Sequence, residues 1–193
     1  MKFLLGPPPD SLSVDELASG EWRRLDVLPL WALQLTAIPV GIVVATALFA
    51  CWVITTPDFE IAFAGSELTV PVILATLLMG TLLQFGAHSP AGFYRHSTLG
   101  FWPSRFALYT YSGKLSKTRY LLVRGLPFVV MALGPLLFVV ISGRQSGWLV
   151  FVSLLTALTF GMNAVLALIE LWRMPANAQV GGIGLQAYWR KST

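Results

Sequence analysis

The chain of 193 residues is too hydrophobic and too weakly charged to be an average soluble domain. Hydrophobic residues make up 55% of it and charged residues only 11%, whereas soluble domains average about 25% charged residues. The net charge of +4 follows from basic residues that flank membrane helices, so no nucleic-acid partner is needed to explain it. With a single cysteine, Cys51, an internal disulfide is excluded.

Residues 1–27 precede the first long hydrophobic run and are predicted to form a cytoplasmic N-terminal region. Three consecutive prolines favour an extended conformation there, and Phe3–Leu5 is too short an apolar core for a cleavable signal peptide. Ser13 and Glu16 have the spacing of a capping box, which predicts a short amphipathic helix ending near Gly20. The acidic residues of this region could pair with the basic loop between the second and third predicted helices, although a solvated surface is the simpler expectation. They are Asp10, Asp15, Glu16, Glu21 and Asp26.

Four intervals contain no Asp, Glu, Lys or Arg, and each is long enough for the roughly 20 residues that a helix needs to cross the hydrocarbon core of a membrane. They predict a membrane domain over residues 28–174 with four transmembrane helices. The predicted helices span about residues 28–55, 68–88, 121–142 and 147–172. Pro127 and Pro135 predict kinks in the third helix, because proline removes a backbone hydrogen bond from a helix interior.

The connection between the second and third predicted helices is rich in basic and aromatic residues. Its segment from Arg105 to Tyr111 has a strand-like composition and ends at the turn signal Ser112-Gly113, which predicts a β-hairpin at the membrane interface. Residues 175–193 are predicted to form a cytoplasmic tail. The glycine-rich segment 181–184 predicts a flexible turn in this tail, because a phosphate-binding loop would follow a strand and open a helix.

Basic residues are distributed very unevenly between the two ends of the predicted helices. With four spans, twelve of the thirteen lie on one side, and only Arg144 lies on the other. The positive-inside rule places the basic side in the cytoplasm. The sequence therefore predicts an all-α, multi-pass protein of the inner (cytoplasmic) membrane, with both termini and a β-hairpin-like loop between the second and third helices in the cytoplasm.

Two segments of the loop and the end of the chain carry a resemblance to a known family. They are Gly100-Phe-Trp-Pro103, Gly113-Lys-Leu-Ser-Lys-Thr-Arg119 and Val180–Trp189. From roughly Val70 to Trp189 the chain resembles the zincin-like peptidases, a domain-of-unknown-function family of small integral membrane proteins. In that family, a buried helix with the motif H-E-x-x-H precedes such a loop, so the resemblance implies a zincin-type membrane fold.

The resemblance also implies a zinc site that this sequence has lost. A zincin holds zinc with two histidines four residues apart and a third ligand, and a glutamate activates the bound water. Gly80, Thr81 and Gln84 stand at the positions of the first histidine, the glutamate and the second histidine. The family's third ligand, an aspartate on the last helix, would fall near Ala164. We therefore predict a degenerate member of the family that is not an enzyme and binds no cofactor.

His88, His96 and Glu170 are the remaining candidates for a metal site, since all three are expected near the cytoplasmic face. Their spacing does not match a metal-ligand pattern. An interfacial histidine bonded to a carbonyl is the simpler interpretation of His88.

Polar residues within the helices are expected to make contacts between helices or at the interface. Gln84 on the second helix and Asn163 on the fourth are predicted to hydrogen-bond across the bundle in place of the lost metal. Alternatively, each bonds its own backbone. Glu170 and Arg173 are three residues apart and are expected to form an interfacial pair.

The basic and aromatic residues of the loop predict a surface for anionic lipid headgroups or for a protein partner. Nucleic acid is not expected, because the loop is tethered to the bilayer. The residues of this surface are Arg95, Trp102, Arg105, Lys114, Lys117 and Arg119.

These observations favour a structural function over a catalytic one. The hypothesis is a non-catalytic, zincin-fold accessory or structural subunit, or a scaffold, of a larger membrane complex such as a respiratory or photosynthetic assembly. Two alternatives stay open. One is an active intramembrane zinc metalloprotease with unconventional ligands, which would contain metal. The other is a lipid- or pigment-binding membrane module, which would retain lipid or chromophore on purification.

Overall fold

Four helices long and apolar enough to cross a membrane form the main body of the protein. A computed structural model of the chain describes residues 2–7, 10–25, 30–56, 66–88, 98–103, 107–111, 113–144, 146–183 and 186–191. The first, second and fourth transmembrane helices are α2 (Leu30–Thr55), α3 (Thr69–His88) and α6 (Gly147–Arg173). The architecture is that of a multi-pass membrane protein, as the uncharged intervals of the sequence predict.

The third transmembrane helix changes its hydrogen-bonding pattern along its length. It consists of α4 (Lys117–Pro127), a π-helical segment (Phe128–Leu133) and α5 (Gly134–Ser142). The N–H of Gly134 donates to the carbonyl of Val129, five residues earlier. Because Pro127 and Pro135 flank this segment and lack an N–H, the regular pattern of an α-helix cannot continue through it.

The third helix begins four residues before its predicted start, because Ser116 caps it. The Ser116 hydroxyl accepts a hydrogen bond from the N–H of Arg119 at 3.4 Å. The helix therefore includes Lys117 and Arg119 in its first turn, where both side chains can reach the ends of neighbouring helices.

α6 is the centre of the bundle, because the other three transmembrane helices all pack against it. Backbone approach is very close between α2 and α6. A Cβ at Gly41 would lie 2.1 Å from the carbonyl oxygen of Leu158, and one at Gly161 would lie 3.1 Å from the side chain of Val44. Small residues let membrane helices approach closely, so Gly41 and Gly161 set the spacing of α2 and α6.

A chain of hydrogen bonds crosses three helices in the apolar core. The indole N–H of Trp52 on α2 donates to the hydroxyl of Ser153 on α6 at 3.0 Å, and this hydroxyl donates to the carbonyl of Ala132 in the π-helical segment at 2.6 Å. All three residues are buried, beside apolar residues such as Leu48 and Ala157. Since the bilayer core supplies no water, such groups need partners within the protein, and here the partners join three helices.

Two small β-sheets accompany the helices, so the prediction of an all-α fold is wrong in this respect. Sheet A contains, in spatial order, β1 (Lys2–Leu5), β3 (Thr98–Trp102) and β4 (Ala107–Tyr111). Sheet B contains, in spatial order, β2 (Arg23–Arg24), β7 (Gln186–Lys191), β6 (Ala178–Ile183) and β5 (Leu115–Ser116). A hairpin is present between the second and third helices as the antiparallel strands β3 and β4. The predicted position of its turn is wrong, because the two strands are joined between Trp102 and Ala107, whereas Gly113 follows β4 and leads to β5, which pairs with β6.

The C-terminal segment is a β-hairpin. Gly181 lies inside β6, opposite Tyr188 of β7. A Cβ at Gly181 would lie 2.9 Å from the side chain of Leu12, which is buried. The expectation of a flexible turn is therefore wrong for residues 181–183, because they pair with β7 and the missing side chain of Gly181 gives Leu12 room to pack. Gly184 lies outside the described residues.

The capping box of the N-terminal region is confirmed in α1 (Val14–Ala18). The hydroxyl of Ser13 accepts from the N–H of Glu16 at 3.1 Å, and the carboxylate of Glu16 accepts from the N–H of Ser13 at 3.0 Å. The short helix ends before Gly20, whose φ of 72° is a left-handed conformation that favours glycine.

Every strand in the described part of the chain lies at the same end of the helix bundle. β2 precedes α2 and β5 leads directly into α4, whereas β3 follows α3 and β6 follows α6. Sheet A joins the N-terminal strand to the loop between the second and third helices. Sheet B joins the N-terminal region, the same loop and the C-terminal hairpin. The described parts of both terminal regions therefore lie on one side of the membrane helices.

Replacing Ser153 by alanine is expected to destabilise the bundle, because it removes both hydrogen bonds of the chain that joins three helices. Interhelical hydrogen bonds in membrane proteins average about 0.6 kcal/mol and reach about 1.7 kcal/mol. The loss of two is therefore expected to lower the free energy of unfolding by about 1–3 kcal/mol, measured by unfolding the purified protein in detergent micelles.

Thr156→Val is the matched control for this variant. Thr156 is as deeply buried as Ser153, but its hydroxyl donates to the carbonyl of Val152 within α6. The control is expected to lose much less stability than Ser153→Ala. Equal losses in the two variants would contradict the role of Ser153 as a tie between helices.

Candidate functional site

Cations in the first turn of the third helix cap the C-terminal ends of two other helices. The last carbonyls of a helix have no partner within it, and positively charged side chains can bond them. Lys117 Nζ donates to the carbonyls of Leu171 at 2.8 Å and Met174 at 2.6 Å, at the end of α6. Arg119 Nη1 donates to the carbonyl of Ala87 at 3.3 Å, near the end of α3. Both cations also face the negative ends of helix dipoles, so α3 and α6 are tied to α4.

A buried ion pair joins α4 to α6 close to these capping contacts. Glu170 is 3% exposed. Its Oε1 atom accepts a hydrogen bond from the Tyr120 hydroxyl at 3.4 Å and lies 3.5 Å from Nη1 of Arg124. The Arg124 guanidinium is also 5.0 Å from the centroid of the Tyr120 ring, within the range of cation–π attraction. We refer to Tyr120, Arg124 and Glu170 as the Glu170 cluster.

The Glu170 cluster explains how a carboxylate is accommodated among apolar helices. A charge buried without a partner is strongly unfavourable, so ionisable residues within membrane segments pair with one another. Glu170 pairs with Arg124 on a different helix rather than with Arg173, which is exposed. Glu170 contacts two side chains of α4 because the face of α6 that carries it is packed against that helix.

Ion pairs attach the N-terminal region to the loop and to sheet B. Lys114 Nζ lies 2.5 Å from Oε1 of Glu16, and Arg190 Nη1 lies 3.3 Å from Oε2 of Glu21. Both cations also approach the buried ring of Trp22, at 5.8 Å and 4.9 Å from its centroid. Glu16 therefore pairs with the loop, whereas Glu21 pairs with the C-terminal strand, and both carboxylates remain accessible to solvent.

The hydrogen bond from Lys114 is the main cause of a lowered pKa at Glu16, below its ordinary value of 4.5, and the N–H of Ser13 lowers this pKa further. A carboxyl group whose pKa is lower in the folded state adds stability above its unfolded pKa and loses it as the pH falls through the folded pKa. Acidification below pH 4.5 therefore weakens the attachment of α1 to Lys114. Because Glu16 is open to solvent, this contribution to stability is small.

The three positions that the zincin-like resemblance aligns with a zinc motif, Gly80, Thr81 and Gln84, lie on α3. Gly80 is buried, and a Cβ there would lie 2.4 Å from Cζ of Phe160 on α6. The Thr81 hydroxyl donates to the carbonyl of Leu77 at 2.9 Å, within α3. Gln84 is half-buried, as is Ala164 on α6. The space beside Gly80 is filled by the Phe160 ring.

No group of three or more His, Cys, Asp or Glu side chains that could hold a metal is found among the described residues. Glu170 belongs to the Glu170 cluster, whereas His96 and the side chain of His88 lie outside the described part of the chain. A metal site made by His88, His96 and Glu170 therefore stays a prediction.

The predicted contact between Gln84 and Asn163 also stays a prediction. Both side chains are half-buried, on α3 and α6. These two helices pack against each other, so a polar contact between them remains compatible with the fold.

The predicted lipid or partner surface is only partly described. Arg95 and Arg105 lie outside the described residues, and Trp102 in β3 is half-buried. Lys114, Lys117 and Arg119 have partners within the chain. Their contact with lipid or with a partner stays a prediction, and the structure gives each of them an internal role.

Sequence reasoning missed the residues that join the helices most directly. Ser153 resembles the other hydroxyl residues of α6, such as Thr156 and Thr159, which bond their own backbone. The pairing of Arg124 could have been predicted, because a charged residue one to two turns inside an apolar helix usually has a partner on another helix. Glu170 is the acidic residue that the predicted transmembrane helices offer as this partner.

Arg124→Met is expected to be strongly destabilising, because the buried carboxylate of Glu170 loses its cation. Removing one partner of a buried pair costs about 3–5 kcal/mol, whereas replacing both partners by apolar residues of similar volume is often neutral. Since Arg124 is partly exposed, we expect a loss near the lower end of that range, measured by unfolding in detergent micelles.

The double variant Arg124→Met/Glu170→Met is expected to recover most of this stability, because no charge is then left in the cluster. A double variant that is no more stable than Arg124→Met alone would contradict the pairing. Arg144→Met, in the exposed turn between α5 and α6, serves as the control for replacing an arginine outside the cluster.

Comparisons with protein-family models, with curated proteins and with solved structures find no match to this chain.

Proposed function

We propose that the protein is a non-catalytic membrane protein of the zincin-like type that serves as an accessory or structural subunit, or as a scaffold, of a larger membrane complex. The complex that we propose is a respiratory or photosynthetic assembly. The protein would be a degenerate relative of zinc metallopeptidases, in which packing between helices replaces the metal.

The contact between Gly80 and Phe160 carries this proposal. The ring of Phe160 lies 2.4 Å from the point where a side chain at position 80 would begin. An imidazole at position 80 therefore has no room while this ring is in place. Close helix packing at the position that the resemblance aligns with the first histidine supports a structural role for α3 and α6.

The polar residues of the helix ends give further support. Lys117 and Arg119 bond carbonyls at the ends of α6 and α3, and Arg124 pairs with Glu170. A catalytic acid or base needs access to a substrate, but Glu170 is buried against two side chains of α4. These groups are used to hold helices together, as is typical of a rigid structural subunit.

We further propose that the protein lies in the cytoplasmic membrane with both termini in the cytoplasm. All described strands lie at one end of the bundle, together with basic residues such as Lys114, Lys117 and Arg190. Arg144 lies in the turn between α5 and α6, at the opposite end. The excess of basic residues at the strand-bearing end supports a cytoplasmic location for that end.

Isolation from the native membrane in a mild detergent tests the structural function. We expect the protein to co-purify with other membrane proteins at a fixed ratio and to contain far less than one equivalent of zinc, measured by mass spectrometry of peptides and of metals. One equivalent of zinc that is lost in His88→Ala, accompanied by peptidase activity, would instead support the metalloprotease. Retained pigment or lipid without a protein partner would support the binding module.

Variants of α3 show whether assembly depends on its packing. Gly80→Leu is expected to separate α3 from α6 and to reduce recovery of the complex, because the new side chain collides with Phe160. Gly86→Leu is the matched control on the same helix, since a Cβ at Gly86 meets no neighbouring atom within 4 Å. Equal recovery with both variants would contradict a structural role for this contact.

Cysteine labelling from outside the cell tests the topology. Cys51 is exposed and is first replaced by alanine. A cysteine at Ser146, before α6, is expected to react with a membrane-impermeant maleimide, whereas one at Ala176, after α6, is expected to react only after permeabilisation. Both positions are exposed. The reverse pattern would place the strand-bearing end outside the cell.

A further inference from the structure

The two faces of sheet B have different surroundings. On one face, Val180 packs with Leu25 and Met174 in an apolar cluster at the ends of the third and fourth transmembrane helices. On the other face, Gly181 contacts Leu12 of the N-terminal region. One face of sheet B therefore points toward the helices and the membrane, and we call it the membrane-side face.

Two exposed cations belong to the membrane-side face. Arg23 is opposite Trp189 in the antiparallel pairing of β2 with β7, and Lys191 is opposite Ala178 in the pairing of β7 with β6. Residues directly opposite each other in an antiparallel pair project to the same face. Because Trp189 and Ala178 pack with the apolar cluster, Arg23 and Lys191 project toward the membrane side as well.

These two cations are close enough to bind one phosphate group. Lys191 is the diagonal neighbour of Arg23 across β2 and β7, a position about 7–8 Å away in antiparallel sheets. The Arg23 guanidinium lies 5.8 Å from the centroid of the Trp189 ring, which holds it beside the sheet. In the part of the chain that the structure describes, neither Arg23 nor Lys191 takes part in an ion pair.

The acidic partners of sheet B lie on its other face. Arg190 alternates with Trp189 and Lys191 along β7, so it projects to the opposite side, where it pairs with Glu21 and approaches Trp22. Arg24 alternates with Arg23 in the same way and is exposed. Among the described residues, Glu21 therefore pairs with Arg190 and with neither cation of the membrane-side face.

The end of α6 places the membrane-side face at the level of the lipid headgroups. Trp172, in the last turn of α6, is 87% exposed, and exposed tryptophan is typical of the membrane–water interface. Arg173 follows it and is exposed as well. β6 begins at Ala178, only five residues beyond the end of α6, so sheet B starts directly at this interface.

We propose that Arg23, Trp189 and Lys191 form a binding site for the phosphate headgroup of an anionic phospholipid in the leaflet beside sheet B. The guanidinium and the ammonium group supply charge-assisted hydrogen bonds to phosphate oxygens, and the indole lies against the less polar part of the lipid. The proposal requires the four helices to cross the bilayer, but it does not depend on the proposed role in a complex.

Titration of the purified full-length protein in neutral detergent micelles tests this site. Phosphatidylglycerol and phosphatidylcholine are added in parallel, and bound lipid is counted by native mass spectrometry. Each cation near anionic lipid contributes enough to change affinity about fivefold. We therefore expect Arg23→Gln/Lys191→Gln to weaken phosphatidylglycerol binding about thirtyfold and to leave phosphatidylcholine binding unchanged.

Arg24→Gln is the matched control, because it removes the same charge from the same strand on the opposite face. It is expected to bind phosphatidylglycerol as the unaltered protein does. An equal loss in Arg24→Gln would overturn the proposal in favour of net charge, and so would a double variant that binds normally. Displacement of the lipid by inorganic phosphate at similar concentration would overturn it in favour of a soluble anion.

Unfolding temperature without added lipid is measured for every variant, since Arg23 also contacts Trp189. If the double variant is unstable, Lys191→Gln and Arg23→Lys replace it. Lys191→Gln is expected to weaken phosphatidylglycerol binding about fivefold, whereas Arg23→Lys keeps the charge and is expected to retain most of the binding. Unchanged binding in Lys191→Gln would overturn the site.

Discussion

The close approach of α2 to α6 is the contact on which the rest of the bundle depends. Gly41 brings α2 against the backbone at Leu158, and Gly161 receives Val44 from the other side of the same crossing. At this spacing the indole of Trp52 can reach the hydroxyl of Ser153, which in turn bonds the third helix. If α2 and α6 were further apart, these polar groups would lose their hydrogen bonds, and the bilayer core contains no water to replace them.

A second constraint acts at the strand-bearing end of the bundle, where the last carbonyls of the helices need hydrogen-bond donors. α3 and α6 both finish where α4 starts, so the basic first turn of α4 can bond the last carbonyls of both. The Glu170 cluster adds a charged contact at the same level. Sheet B then packs on these helix ends through Met174 and Tyr120. Basic residues that favour a cytoplasmic location in the sequence thus also stabilise the fold.

The cations fall into two groups, and the difference between them is relevant to function. Lys117, Arg119 and Arg124 bond within the chain, whereas Arg23 and Lys191 face the membrane side of sheet B without an ion pair in the described structure. The first group supports a rigid, non-catalytic subunit, and the second group suits an anionic lipid. Around Gly80, the position that the proposed resemblance aligns with a metal-binding histidine, the Phe160 ring is packed. The proposed function and the proposed lipid site therefore depend on different residues.

The sequence alone determined the features that depend on local composition: four membrane-length helices, the capping box of Ser13 and Glu16, and the presence of a hairpin between the second and third helices. Uncharged runs, capping patterns and strand-like segments are each contained within a limited stretch of consecutive residues, so they can be read without knowing the fold. Only the tertiary structure decided that Glu170 pairs with Arg124, that Ser153 bonds Trp52, and that the C-terminal segment forms strands against the N-terminal region. These contacts join residues far apart in the chain, and they depend on which helix faces meet and how closely. A helix that is hydrophobic all round gives no sequence signal of which face is packed against a neighbour. The glycines of the packed bundle decided which faces of α2 and α6 meet and how closely.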